Sequence, residues 1–196
     1  MRPLLFATTN ANKVREVRSL LRHAPVVLST LADWPPLAEP EETGDTFEAN
    51  ARLKARYYAA RHPGLVVSED SGLEIDALGG EPGVRSARFL APDASYPDRF
   101  TAILRRLEGV PATGRTARFV CAVAVASGDR VCFETRAVVA GRIADAPAGS
   151  GGFGYDPIFF YPPLGCTLAQ AGDAKAGVSH RGQAFATLTR WLHDLG

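Results

Sequence analysis

The segment Thr8-Thr9-Asn10-Ala11-Asn12-Lys13 gathers hydroxyls, carboxamides and one ammonium directly after a short apolar run. At a junction of strand and helix, the helix N-terminus offers free backbone N–H groups and partial positive charge, which suits a phosphate. Lys13 falls in the first turn of that helix, against its dipole, which points to a compensating anion. The segment lacks the glycines of a P-loop or a dinucleotide-binding turn, so neither motif is present. An ordinary Asn-capped helix with a surface lysine has the same residues.

Carboxylates cluster in two places. Glu39, Glu41, Glu42, Asp45 and Glu48 precede Asn50 and Lys54, which are four apart and share a helix face. Glu42, just ahead of that helix, can reach a divalent cation. Mg²⁺ takes one or two protein carboxylates and completes its shell with substrate phosphates. Alone, the stretch reads as a solvated acidic loop. Glu69-Asp70-Ser71-Gly72 follows the apolar run Leu65-Val66-Val67. Adjacent like charges there need a metal ion or a shared proton. In open α/β sheets, ligands sit at strand ends. Asp-Ser-Gly is equally good turn chemistry.

Two later segments suit a planar, polar ligand. Gly151-Gly152-Phe153-Gly154-Tyr155-Asp156-Pro157 sets two aromatics among glycines. Read as exposed, they can stack on a base, and Asp156 can accept a hydrogen bond from a ring N–H. Lys175 and Ser179-His180-Arg181 place cations at a second helix start, suited to an anion or a base edge. His180 by itself has the usual structural reading.

The elements that must carry these residues follow from periodicity. A strand over Leu4–Ala7 leads to a helix capped by Asn10 and running to about Leu21. Val26–Leu28 suits a second strand, and 33–44 a loop. Asp45 and Glu48 resemble a capping box for a helix over about Thr46–Arg61, with Phe47, Ala51, Ala55, Tyr58 and Ala59 on one face. Leu65–Val67 is a buried strand that ends at Ser68–Gly72. A helix over Pro97–Leu107 precedes long strands over Thr116–Ser127 and Arg130–Arg142, joined at Gly128-Asp129. Residues 146–157 form a loop, and Ser179 caps a final helix to about Leu195. Alternating helices and strands predict a mixed α/β sheet.

Composition narrows the class. With 46% hydrophobic and 22% charged residues over 196 positions, the chain is globular and is one domain on a length prior. The net charge of +1 argues against a nucleic acid partner. Three widely spaced cysteines form no disulfide framework. The longest apolar run, Phe119–Ala126, is far short of the roughly 20 residues of a membrane helix. The N-terminal apolar run is too short for a signal peptide, so a soluble cytoplasmic protein is expected.

Together these motifs closely resemble the inosine/xanthosine triphosphate pyrophosphatase family, nearly end to end. The carriers are Thr8-x-Asn10-x-x-Lys13, Glu41-Glu42-Thr43-Gly44 with Thr46-Phe47-x-x-Asn50-Ala51-x-x-Lys54-Ala55, Asp70-Ser71-Gly72-Leu73, Leu78-Gly79-Gly80-x-Pro82-Gly83, Gly152–Pro157 and Ser179-His180-Arg181. The family often has Gly in place of Thr9, and two aspartates in place of Glu69-Asp70. The resemblance implies a single domain over 1–196. Its expected fold is an elongated mixed sheet with flanking helices, in two lobes around a central cleft, and usually a homodimer. It implies hydrolysis of XTP, ITP and dITP to monophosphate and pyrophosphate with Mg²⁺.

By position, Thr8, Thr9, Asn10, Ala11, Asn12 and Lys13 would hold the triphosphate. Glu42 or its neighbour Glu41, with Asp70, would bind the metal. Asp70 would accept the proton of the attacking water, and Ser71 would contact substrate. Phe153, Gly154, Tyr155, Asp156, Lys175, His180 and Arg181 would form the base pocket. Lys13 and Lys54 suit the stabilisation of charge that builds up on phosphate oxygens. Two other readings fit parts of the pattern: a house-cleaning pyrophosphatase for other modified or pyrimidine nucleotides, and a nucleotide-binding protein that does not hydrolyse.

Overall fold

In the computed structural model, which describes residues 1–195, Asn10 caps α1 (Ala11–Leu20) as its sequence predicts. Its Oδ1 accepts from the N–H groups of Asn12 and Lys13, at 3.0 and 3.2 Å. The strand before it is β1 (Arg2–Phe6), and β2 (Val26–Thr30) follows. The next helix, α2 (Phe47–Ala59), buries the expected face of Phe47, Ala51, Ala55, Tyr58 and Ala59. Its cap is Thr46 rather than Asp45. Thr46 has extended backbone, and its Oγ1 accepts from the Ala49 N–H at 3.1 Å. Asp45 lies one residue too early to make that bond.

The largest departure from expectation is β3, which spans Leu65–Ile75. Ser68–Gly72 do not end a strand but lie inside one. Leu73 and Ile75 continue the alternation into a further apolar core, so the strand has a reason to run on. The remaining elements are α3 (Tyr96–Arg106), β4 (Thr116–Ser127), β5 (Arg130–Ile143), β6 (Phe159–Tyr161), β7 (Cys166–Thr167), α4 (Ala174–Val178) and α5 (His180–Asp194). The short β6, β7 and α4 have no sequence period long enough to announce them. The hairpin between β4 and β5 turns at Gly128-Asp129 as expected, with Gly128 at φ 58°.

The strands form one mixed seven-stranded sheet, in the order β2-β1-β3-β4-β5-β6-β7. β1 pairs in parallel with β2 and β3, while β5, β6 and β7 pair antiparallel. This is the mixed α/β class that alternating elements predict.

The chain divides into two compact units. The first takes residues 1–70, 121–137 and the segment from His180. Its core joins Leu4, Phe6, Val67 and Val123 of the sheet to Val17 of α1 and Phe185 of α5. The Phe6 and Phe185 rings meet edge to face at 5.9 Å. The second unit takes residues 71–120 and 138–179 and has its own core, around Leu73, Ile103, Tyr155 and Phe159. Among the described residues, no helix is long and apolar enough to cross a membrane.

Phe185 is fully buried, so Phe185→Ala should cost about 3–5 kcal/mol, part of it for the cavity left behind. Urea unfolding will show this as a lower midpoint at unchanged slope.

Candidate active site

Successive side chains of a strand point to opposite faces, and on β3 this separates the two adjacent acids. Val67 shares its parity with Glu69, and Val67 belongs to the core against α1 and α5. Glu69 therefore meets partners from that side. Its Oε1 lies 2.7 Å from Lys13 Nζ and 3.3 Å from Arg181 Nη2. Its Oε2 accepts from the Cys121 thiol at 3.1 Å. Arg181 also donates through Nη1 to Glu16 Oε2, at 2.8 Å.

Burial opposes ionisation of Glu69, but the charges of Arg181 and Lys13 outweigh it and hold the carboxyl well below its usual range. Burial and the adjacent Glu69 charge push the Cys121 thiol well up, so it remains a donor. Lys13 does have the compensating anion that its place against the helix dipole demands. That anion is Glu69, 56 residues on.

Asp70 faces α2. The Asn50 Nδ2 donates to Asp70 Oδ2 at 3.1 Å, and Lys54 Nζ lies 3.6 Å from Asp70 Oδ1. The same ammonium is 2.5 Å from Glu42 Oε1. Burial pushes the Asp70 carboxyl up, against the pull of Lys54 and Lys13. Burial pushes the Lys54 ammonium down, and the charges of Asp70 and Glu42 reverse that to a net rise.

Asn50 is fully buried and also fixes the loop that carries Glu42, because its Oδ1 accepts from the Gly44 N–H at 2.8 Å. A Cβ on Gly44 would lie 2.6 Å from that oxygen, so the close approach requires glycine. Between the two acids left open by the sequence, Glu42 shares Lys54 with Asp70, whereas Glu41 is exposed.

Glu42 and Asp70 thus present two hard carboxylates around one cation. Among the described residues, no cluster of three or more His, Cys, Asp or Glu side chains stands ready to hold a metal. A pair of carboxylates fits Mg²⁺, which draws the rest of its shell from phosphates and water.

Thr8 Oγ1 accepts from the Asn10 N–H at 3.2 Å, which tightens the turn before α1. Thr9, Asn10 and Ala11 are exposed, and Asn12 is half-buried. Thr8, Thr9 and Ala11 line a groove of about 870 Å³ together with Val14, Trp34 and Tyr58.

The second unit holds the Gly-rich aromatic segment. Tyr155 does not offer an exposed face, which corrects the expectation of two open aromatics. Its ring is buried against Tyr96, and its hydroxyl donates to the Ser86 carbonyl at 2.8 Å. Burial pushes its phenol well up. Phe153 is half-buried and remains the ring able to meet a base. Asp156 is buried, and its Oδ2 accepts from the Phe153 N–H and pairs with Lys175 Nζ, each at 2.8 Å. That oxygen is engaged in shaping the loop. Gly152 has φ 68°, and a Cβ there would lie 2.1 Å from Asp156 Oδ2. Lys175 Nζ also stands 5.2 Å from the centre of the Phe153 ring. Gly154 and Ser71 are half-buried in this unit, and His180 and Arg181 are buried at the start of α5 in the other.

The sequence reading places Asn50 on the helix face of Lys54 and Gly44 in a motif but gives neither a role in the site, it assigns none to Glu16 or Cys121, and it gives Glu69 no work separate from Asp70. The available signals were spacings. Glu16 sits three residues beyond Lys13 on α1, and Asn50 four before Lys54 on α2.

Residues 4–191 match the model of the Ham1 family. A protein of Geobacillus kaustophilus described as dITP/XTP pyrophosphatase is 45% identical over 198 residues, covering 100% of this chain and 97% of that one. One of the same description from Symbiobacterium thermophilum is 49% identical over 185 residues, covering 93% and 91%. The solved structure of a HAM1 protein from Coxiella burnetii superposes with a TM-score of 0.90 at 34% identity, over 99% of this chain and 100% of that one.

Asn50→Ala leaves the Gly44 N–H and one side of Asp70 without their partner. It should cost about 1–3 kcal/mol, read as a lower urea midpoint.

Proposed function

The chain belongs to the Ham1 family, and from that premise we propose that it is a nucleoside triphosphate pyrophosphatase, hydrolysing XTP, ITP and dITP to the monophosphate and pyrophosphate. The observation that carries the chemistry is Asp70, a buried carboxylate raised by burial and flanked by Lys54, Asn50 and Glu42. A carboxylate of raised affinity for protons is a better general base at neutral pH. Asp70 orients the attacking water towards the α-phosphorus and takes its proton.

Lys13 and Lys54 stabilise the negative charge that grows on the phosphate oxygens. Glu42 and Asp70 would hold Mg²⁺. Bound there, the ion supplies charge neutralisation for the triphosphate. Thr8 to Lys13 take the phosphates, and Ser71 contacts the substrate. The Phe153 ring offers a face for the purine.

Within the second unit, Lys175 offers a donor beside the Phe153 ring. A donor there favours the 6-oxo group of hypoxanthine and xanthine, because the 6-amino group of adenine would set donor against donor. Family membership also supports a homodimer, a cytoplasmic location and a free nucleotide rather than a nucleic acid as substrate.

Pyrophosphate release, measured with Mg²⁺ across XTP, dITP, ATP, GTP and dTTP, should be confined largely to XTP and dITP. Comparable turnover of ATP or dTTP contradicts the substrate class. Asp70→Asn should lower turnover by about 10²-fold or more with the melting temperature retained. Normal XTP hydrolysis by that variant contradicts the role of Asp70.

A further inference from the structure

We infer that Glu69 is a positioning residue for this hydrolysis: its buried carboxylate, anchored by Arg181 and Cys121, holds Lys13 in place for the nucleotide while touching neither substrate nor metal. The inference rests on the proposed function and assigns work within it to a residue that the scheme above leaves unused.

The geometry has three parts. Glu69 Oε1 takes both cations, at 2.7 Å from Lys13 and 3.3 Å from Arg181. Its Oε2 accepts from Cys121 of β4, so both oxygens of the carboxylate are engaged. The Glu69 and Arg181 side chains are 0% and 3% exposed, while that of Lys13 keeps 16%. Of the two cations in the cluster, Lys13 is thus the one that reaches solvent, at the open turn after β1.

An ammonium has three N–H donors. One directed at Glu69 leaves the others for an arriving phosphate. The pairing sets where Lys13 stands before the substrate arrives. A free lysine must surrender its rotamer freedom to reach the same place. Preorganised donors of this kind raise affinity by lowering the cost of ordering.

Charge balance points the same way. Glu69 and Glu16 face Lys13 and Arg181, two charges of each sign. Without the Glu69 charge, Arg181 would keep Glu16, while Lys13 would lose its 2.7 Å partner and be left with the weaker pull of Asp70. Glu69 lies on the face of β3 opposite to Asp70, and its direct partners differ from those of the pair proposed for Mg²⁺, although Lys13 also pulls on Asp70.

The test is a double-mutant cycle on Lys13→Ala and Glu69→Gln. Binding of the α,β-imido analogue of dITP with Mg²⁺ is measured by calorimetry, and turnover of dITP is measured against Mg²⁺ concentration. Glu69→Gln alone should weaken binding about tenfold or more, the scale of a charged hydrogen bond. In the Lys13→Ala background it should weaken binding much less. The Mg²⁺ concentration giving half-maximal turnover should be unchanged. Independent losses that multiply in the double variant overturn the inference, as does Glu69→Gln binding like the wild type. A shifted Mg²⁺ requirement overturns it too, since it makes Glu69 a metal ligand.

Where melting shows that Glu69→Gln does not fold, Cys121→Ala takes its place in the cycle. It removes the donor to Oε2 and leaves both cations in place, and its smaller loss of affinity should likewise require Lys13. A loss that persists without Lys13 overturns the inference. Wild-type turnover is read in the same assay. An inactive wild type contradicts the function itself, whereas an active wild type with an indifferent Glu69→Gln contradicts only the role of Glu69.

Discussion

Two consecutive acids inside a buried strand are the constraint to which the first unit is built. Each carboxylate taken from water without a partner costs several kcal/mol, and a neighbouring like charge adds to that. The pleat of β3 resolves the conflict by sending Glu69 and Asp70 to opposite faces. Each then recruits its own cations from the helices on its side. Glu69 takes Lys13 of α1 and Arg181 of α5, while Asp70 takes Lys54 of α2, shared with Glu42. Side-chain alternation on one strand therefore produces two electrostatic sites of different character. One carboxylate is saturated by two cations and a thiol. The other is raised by burial, against the pull of Lys54.

The same pairing explains how a chain of net charge +1 can receive a triphosphate. Lys13, Lys54, Lys175 and Arg181 are all held by carboxylates: Glu69, Glu42 with Asp70, Asp156, and Glu16 with Glu69. No large basic surface is involved, because the fold places each cation beside its acid. Under the proposed function, a triphosphate would meet donors that the fold has already placed, at little cost for ordering flexible side chains.

The sequence made much of this legible where the signal was local. Asn10 as a cap, the apolar face of α2 and the hairpin at Gly128 are short-range patterns, and the structure has them. Long-range facts were not legible. That Glu69 answers Lys13 depends on the alternation of β3 and on the packing of α1 against the sheet, neither of which spacing reveals. β3 itself was read too short because Asp-Ser-Gly is good turn chemistry, and the burial of Leu73 and Ile75 beyond it overrides that preference. Tyr155 looked like an exposed ring because glycines surround it. Those glycines shape the loop, and the ring packs inward against Tyr96. The Thr46 cap differed from expectation by a single residue, the usual scale of helix-boundary error.

The central claim is a division of labour between two neighbouring acids. A crystal structure with Mg²⁺ and the α,β-imido analogue of dITP tests it most directly. The account predicts metal density ligated by Asp70 and Glu42, with Glu69 still bonded to Lys13 and Arg181. A metal ion ligated by Glu69, or one bound without Asp70, would contradict it.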